Sequence, residues 1–197
     1  MPRVLSDADV AGFRARLCHA AEQLFAEHGI EAVTMRQLAV ALGVSPMTPY
    51  RYFRDKDEII DAVRTSAYSR FADALEAAFE SRSDPVERSI AVGEAYLDFA
   101  VRHSRAYTLM FDMIDPKSPP SEGLVAAGER ARDCQFRHVQ GLVDAGVIAG
   151  DVSDYGNIFW AMVYGFAGLI LLGQMSPEEG QRLYRLACLR TIAEAAP

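Results

Sequence analysis

Val33 to Phe53 reads VTMRQLAVALGVSPMTPYRYF. Thr34 is a good helix N-cap, because its hydroxyl can accept from a free backbone N–H two or three residues on. Leu38, Ala39 and Leu42 follow at helical spacing and make a short apolar face. Gly43 stands where that helix should stop, since glycine takes the left-handed backbone of a C-cap at little cost. Ser45 is then a second N-cap, and Pro46 falls just inside the next helix, where its missing N–H is harmless. A short helix, a glycine turn and a freshly capped second helix spell a helix-turn-helix.

The second helix, expected to begin at Ser45, gathers Met47, Thr48, Tyr50, Arg51, Tyr52 and Phe53 within two turns. A packing helix has little use for two tyrosines, a threonine and an arginine together. A helix lying in a DNA major groove does: hydroxyls and arginine reach phosphates, and apolar groups touch thymine methyls. Pro49 still lies in the first turn of this expected helix, where it removes at most one hydrogen bond. No acidic residue occurs from Thr34 to Arg54, while Arg36, Arg51 and Arg54 make the segment locally +3. For a polyanionic partner that local sign matters more than the net charge of the chain.

Upstream, Asp7 to His28 reads as one helix, with Phe13, Leu17, Ala21, Leu24 and Phe25 on one face and Gly29 at its end. Downstream, RDKDE (Arg54 to Glu58) is a charged turn in which Asp55 or Asp57 caps a long helix to about Ser81. Further helices are expected over about Pro85–His103, Arg105–Ile114, Ser121 or Glu122 to Ala145, Ser153–Gln174 and Pro177–Ala195. The chain shows no strand signal, so an all-α class of nine or so helices is expected.

Leu17 to Ile60 resembles the DNA-binding domain of the TetR family of bacterial transcriptional regulators. The marks are Ala21, Leu24, Phe25, Gly29, Thr34, Leu38, Ala39, Gly43, Val44, Ser45, Thr48, Tyr50, Tyr52, Phe53 and Lys56. Pro49 and Met47 depart from the common pattern. The resemblance implies a three-helix helix-turn-helix domain, placed at residues 1–65, followed by a helical ligand-binding and dimerisation domain at 66–197. Matched residue by residue, it implies DNA contacts from Thr34, Arg36, Ser45, Met47, Thr48, Tyr50, Arg51, Tyr52 and Lys56. Met47 and Thr48 would reach base edges, and Tyr50, Tyr52 and Lys56 would reach phosphates. For Lys56 the alternative is a solvated lysine. For Tyr52 and Phe53 it is core packing, which is preferred for Phe53.

In the second half, RAYTLMF (Arg105–Phe111), DAGVIAGD (Asp144–Asp151) and FWAMVYGFAGL (Phe159–Leu169) resemble one subgroup of the family's regulatory domains. A small-molecule effector and a symmetric dimer are thereby implied. Tyr96, Phe99, His103, Tyr107, Met110, Phe111, Met113, Phe136, Trp160 and Tyr164 are candidates to line an apolar pocket with sparse polar tips. Aromatic and methionine side chains at this spacing also make ordinary core. Trp160, Val163, Tyr164, Ala167, Gly168 and Leu171 share one helical face, and Leu183, Leu186, Ala187 and Leu189 give the last helix an apolar side. The dimer candidates are Val163, Ala167, Gly168, Leu171, Leu183, Leu186 and Ala187, unless both helices are internal core.

Composition narrows the alternatives. The 197 residues are half hydrophobic, which suits a globular chain, and the net charge of −7 argues against a basic nucleic-acid coat. Through Thr65 there are 8 basic against 9 acidic residues, and beyond it 12 against 18, a DNA reader carrying an acidic body. Cys18, Cys134 and Cys188 form no CxxC pair and read as reduced thiols of a cytoplasmic protein. The N-terminus lacks a signal-peptide core, and the apolar run Phe159–Gly173 is too short for a membrane span. No HExxH, GxSxG, Walker or dinucleotide motif occurs, the histidines are not spaced as metal ligands, and Asp112 and Asp115 sit around a helix end. No enzyme activity, cofactor or metal is therefore expected. The function that the resemblance implies is a homodimeric repressor that binds double-stranded operator DNA and is released by a small molecule. A helical binding protein using its helix-turn-helix for protein contacts is the alternative.

Overall fold

A computed structural model describes residues 6–111 and 119–197. Among these residues it has eight α-helices, one 3-10 turn and no strand. Helix α1 (Asp7–His28) opens with a reciprocal cap: Ser6 accepts from the Asp9 N–H while Asp9 accepts from the Ser6 N–H. It buries Phe13, Leu17, Ala21 and Phe25, one residue per turn. Helix α2 (Met35–Ala41) opens the same way, with Thr34 and Gln37 exchanging bonds.

Helix α3 (Lys56–Glu80) begins at Asp55, whose side chain accepts from the Glu58 N–H. Its 25 residues extend about 38 Å at ~1.5 Å per residue. The body behind it comprises α4 (Pro85–Arg102), α5 (Ser104–Phe111), α6 (Glu122–Asp144), α7 (Val152–Leu171) and α8 (Pro177–Glu194). Helix α3 packs most extensively on α6 and α4, and α8 closes the far side against α4 and α7.

Two apolar cores result. Phe13, Leu17, Phe25, Val33, Leu38 and Phe53 from the first 55 residues meet Ile59, Ile60 and Val63 of α3 in one. Ala67, Phe71, Ala72 and Leu75 of the same helix enter the other, with Ile90, Tyr96, Leu142, Phe159 and Tyr184. The apolar stripe of α3 thus passes from one core to the next between Val63 and Ala67. Helix α5 is the second shared element: Leu109 lies in the first core, while Ala106, Tyr107 and Met110 lie in the other.

Most expected helices match within a few residues. Leu172 to Gln174 instead form the turn that ends α7: the Gly173 and Gln174 N–H groups donate back to Ile170 and Leu169. The expected continuation of α5 to Ile114, the pocket candidate Met113, the Asp112–Asp115 carboxylates and the Pro116–Ser118 part of the loop lie outside the described residues. No described helix is long and apolar enough to cross a membrane.

Candidate nucleic-acid interface and regulatory cavity

The turn after α2 is as expected. Gly43 has φ +64°, its N–H bonds the Val40 carbonyl, and the Val44 N–H bonds the Ala39 carbonyl. This pair of bonds is a Schellman cap, and only glycine enters that backbone region without strain.

The helix expected from Ser45 is not a regular α-helix. Its only helical segment is the 3-10 turn Pro49–Arg51. Pro49 supplies the reason. With no N–H it cannot donate to the Ser45 carbonyl, which is bonded by Thr48 at 2.9 Å instead. Arg51 bonds Thr48 and Tyr52 bonds Pro49, again in the tighter i→i+3 pattern, while the Phe53 N–H shares the Pro49 carbonyl at 3.0 Å in the one i→i+4 bond. Ser45 caps no N–H; its hydroxyl pairs with the Thr48 hydroxyl at 2.9 Å.

Arg14, to which no local pattern assigns a role, anchors this turn. Its guanidinium donates to the Tyr52 carbonyl, lies 3.9 Å over the Phe53 ring and pairs with Glu58 at 3.2 Å. Burial would raise the Glu58 carboxyl, but hydrogen bonds from the Arg54 N–H, Arg14 and the Arg54 side chain outweigh it and hold the group below its ordinary range. An arginine on an otherwise packing helix, 44 residues before its carboxylate partner, leaves no local signal in the sequence.

The anchored unit presents a mixed face. Thr34, Arg36, Ser45 and Arg51 are exposed, as are Met47 (69%) and Tyr50 (49%). Arg36 and Arg51 make no ion pair among the described residues. Val40, off the Leu38–Ala39 face, is 71% exposed at the end of α2. Three candidates are turned inward in whole or part. Thr48 is half-buried, and Tyr52 is half-buried with its ring stacked 4.1 Å from Phe13. Lys56 donates to the Ile30 and Glu31 carbonyls at 2.9 and 3.4 Å, tying down the loop after α1. Phe53 is 1% exposed, as packing requires.

In the second core a cavity of about 10 Å³ lies between α4, α6, α7 and α8. That is room for about one water. Of the pocket candidates, Tyr96 and Trp160 line it. Val92, Gly93, Gln135, His138, Phe159, Val163 and Tyr184, none of them anticipated, complete the wall. Gly93 is required by close approach, since a Cβ there would sit 1.9 Å from the Tyr184 hydroxyl oxygen. His138 is 4% exposed, its Nδ1 2.9 Å from the Ser89 hydroxyl, and burial alone lowers its pKa to about 4.

The other pocket candidates are placed elsewhere. His103 is exposed at the end of α4 with its ring 4.8 Å from Phe99, which packs on Phe71. Tyr164 is 46% exposed and meets the edge of Phe111. Phe136 fills the space that Gly156 leaves free. Tyr107 and Met110 are buried but belong to the link between the cores. The Tyr107 hydroxyl lies 3.0 Å from that of Tyr96, and the Met110 carbonyl accepts from Tyr68 at 3.0 Å and Arg64 at 3.3 Å on α3. Arg105 on the same helix pairs with Glu27 of α1 at 3.6 Å. The cavity wall is therefore connected to the first core through one short helix.

The dimer candidates divide as well. Val163 (4% exposed) and Ala167 (0%) face into their own chain's core, because the α7 stripe runs along Phe159, Val163, Ala167 and Ile170. The outer side of α7 instead shows Ile158, Tyr164, Leu169, Leu171 and Leu172, with open space over Gly165 and Gly168. Leu186 and Leu189 are exposed on α8, while Leu183 and Ala187 are half-buried.

Residues 17–63 match the family "Bacterial regulatory proteins, tetR family", and residues 89–190 match the family "Tetracyclin repressor-like, C-terminal domain". The transcriptional activator FasR of Mycolicibacterium smegmatis is 30% identical over 99 residues, 50% of this chain and 45% of that protein. The chain spans about half the length of the curated relatives it matches. A protein of unknown function from Rhodococcus sp. RHA1 superposes over 100% of both chains with a TM-score of 0.83 at 28% identity. The TetR family regulator PfmR of Thermus thermophilus superposes over 88% of this chain and 94% of its own, with a TM-score of 0.71 at 25% identity. With both halves matched in their order, and an N-terminal helix-turn-helix before a helical domain, the chain belongs to the TetR family of bacterial transcriptional regulators.

Proposed function

We propose that this chain is a repressor that binds operator DNA as a homodimer and leaves it when a small molecule enters the second core. Residues 1–65 are the reading domain and 66–197 the regulatory one. The observation that carries the reading is that α3 and α5 each serve both cores. A change at Tyr96 passes through the Tyr107 hydroxyl to α5, and from Met110 to Arg64 and Tyr68 on α3. A ligand drives the switch only by binding the two states unequally. Half-sites about 34–36 Å apart make both contacts sensitive to the separation of the two reading units.

Met47 and Tyr50 are the exposed apolar and hydroxyl groups for the groove, and Arg36 and Arg51 the free cations for phosphates. Lys56 positions the loop after α1 and reaches DNA only by releasing the Ile30 carbonyl. The dimer forms through the outer face of α7, with Gly165 and Gly168 allowing close approach, together with Leu186 and Leu189 of α8. The site of action is the cytoplasm, where the DNA is.

The test is binding to the intergenic DNA beside the gene at about 50 and about 200 mM salt, where phosphate contacts make affinity fall steeply. Tyr50→Ala and Arg51→Ala are expected to keep the melting temperature and lose selective binding. The arginine variant is also expected to lower the salt slope by about one unit. A genome-wide fragment selection that returns no selective sequence, with and without cell extract, would overturn the reading in favour of protein contacts.

A further inference from the structure

The cavity between α4, α6, α7 and α8 has a chemical character that its size alone does not convey. Its wall contains no Lys, Arg, Asp or Glu. The cation of α8 beside α4, Arg185, is held by Glu87 at 3.0 Å and Glu94 at 3.3 Å. An ion in the cavity would therefore lose its hydration with no counter-charge to replace it. The polar atoms of the wall are an amide at Gln135, an imidazole at His138, hydroxyls at Tyr96 and Tyr184, and the indole N–H of Trp160. His138 stays uncharged because it is buried, and Ser89 already occupies its Nδ1. The Trp160 Nε1 is buried with no acceptor at full hydrogen-bond geometry; its N–H bears on the Tyr96 hydroxyl, which is already engaged with that of Tyr107, so the wall carries an under-satisfied donor. The remaining surfaces are rings and short aliphatic groups: Phe159, the two tyrosines, Val92 and Val163.

We propose that this cavity selects an uncharged single-ring molecule bearing a hydroxyl or carbonyl oxygen, which accepts from the Trp160 N–H. The proposal rests on the reading that the regulatory core holds an effector, and names the class of that effector. A ring needs more than about 10 Å³, so one wall must yield. Trp160 is the side that can: it is half-buried, whereas Tyr184 and His138 are 1% and 4% exposed.

Trp160 is the single tryptophan of the chain, so its emission reports the cavity directly and without DNA. The experiment titrates the full-length wild-type chain at about pH 7.5 with benzyl alcohol, benzoate and benzylamine, three rings of equal size and different charge there. Emission and melting temperature are followed together. Benzyl alcohol is expected to give a saturable emission change and a raised melting temperature, with both ions at least about tenfold weaker. Trp160→Phe, followed by melting alone, is expected to weaken the alcohol about tenfold. Equal or tighter binding of benzoate or benzylamine would overturn the charge selection while leaving an effector site in place. Unchanged alcohol affinity in Trp160→Phe would overturn the assignment of the indole. No response to any of the three would remove the cavity as a binding site, and DNA binding measured separately would stand or fall by itself.

Discussion

The two cores of the molecule bury different things. Among the described residues the first core is wholly apolar, from Phe13 through Leu38 and Phe53 to Val63. All three buried polar side chains in that set, Ser89, Gln135 and His138, lie in the second half, as does the Tyr96–Tyr107 hydroxyl pair. Close-packed hydrocarbon leaves few voids and is hard to compress, so the first unit keeps its shape. Buried polar groups cost free energy unless satisfied, and they are the groups to which a ligand can add or substitute a partner. On the proposed function, the contrast separates a part that holds its shape from a part that takes up an effector.

That contrast can be broken most severely at Phe53. Phe53→Ala removes a ring that is 1% exposed and carries the Arg14 guanidinium on its face. The expected loss is about 3–5 kcal/mol, read by urea unfolding. Because only the first core is damaged, the helical signal should fall in two steps, with the second half melting near its wild-type midpoint. A single transition, shifted as a whole to lower urea, would mean that the cores are not separable.

The response to acid sharpens the comparison from the other side. Unfolded, His138 takes up a proton near pH 6.5; folded, burial holds its pKa to about 4. Below about pH 6.5 the unfolded chain therefore binds a proton that the folded chain refuses. Its contribution is complete above that value and is lost as pH falls towards about 4, on the order of 3 kcal/mol in all. His138→Gln is expected to flatten the melting temperature across that window. Glu58 lies in the first unit and has a lowered pKa, so its contribution holds above its unfolded value and fades only as pH falls below about 4.3. The second half should thus weaken at a higher pH than the first, and hydrogen exchange along an acid series checks the order.

The smallest effect expected is at Thr34. Its hydroxyl caps α2 in an exposed reciprocal pair with Gln37. Thr34→Ala should cost about 1 kcal/mol in urea unfolding, with the second half unaffected.

Much of the first unit was legible because its signals are local. Thr34 and Gly43 sit where a cap and a left-handed turn must be, and the α1 stripe repeats at one residue per turn. At Ser45 and Pro49 two local rules compete, and the pattern alone does not say which wins. Pro46 and Ser45 favour a helix start, but Pro49 withholds the N–H that the Ser45 carbonyl would need. Arg14 was invisible for the opposite reason, since its partners Tyr52, Phe53 and Glu58 lie far along the chain.

In the second half, apolar periodicity gave the helices but not which neighbour each face would meet. Phe99, Tyr107 and Met110 share the chemistry of Tyr96 and Trp160, yet only the last two reach the cavity. Val163 and Ala167 fit a dimer stripe by spacing and are instead turned inward.

By itself the sequence determined the all-α class, the order of the helices, the turn at Gly43 and the family, because caps, glycine turns and apolar periods act over a few residues. Only the tertiary structure decided that Arg14 holds the segment at Tyr52, Phe53 and Glu58. It alone brought His138 and Trp160 to the wall of one cavity, and set α5 between the two cores. Those outcomes depend on contacts between residues distant in the chain, whose meeting is fixed by how whole helices pack rather than by any local preference.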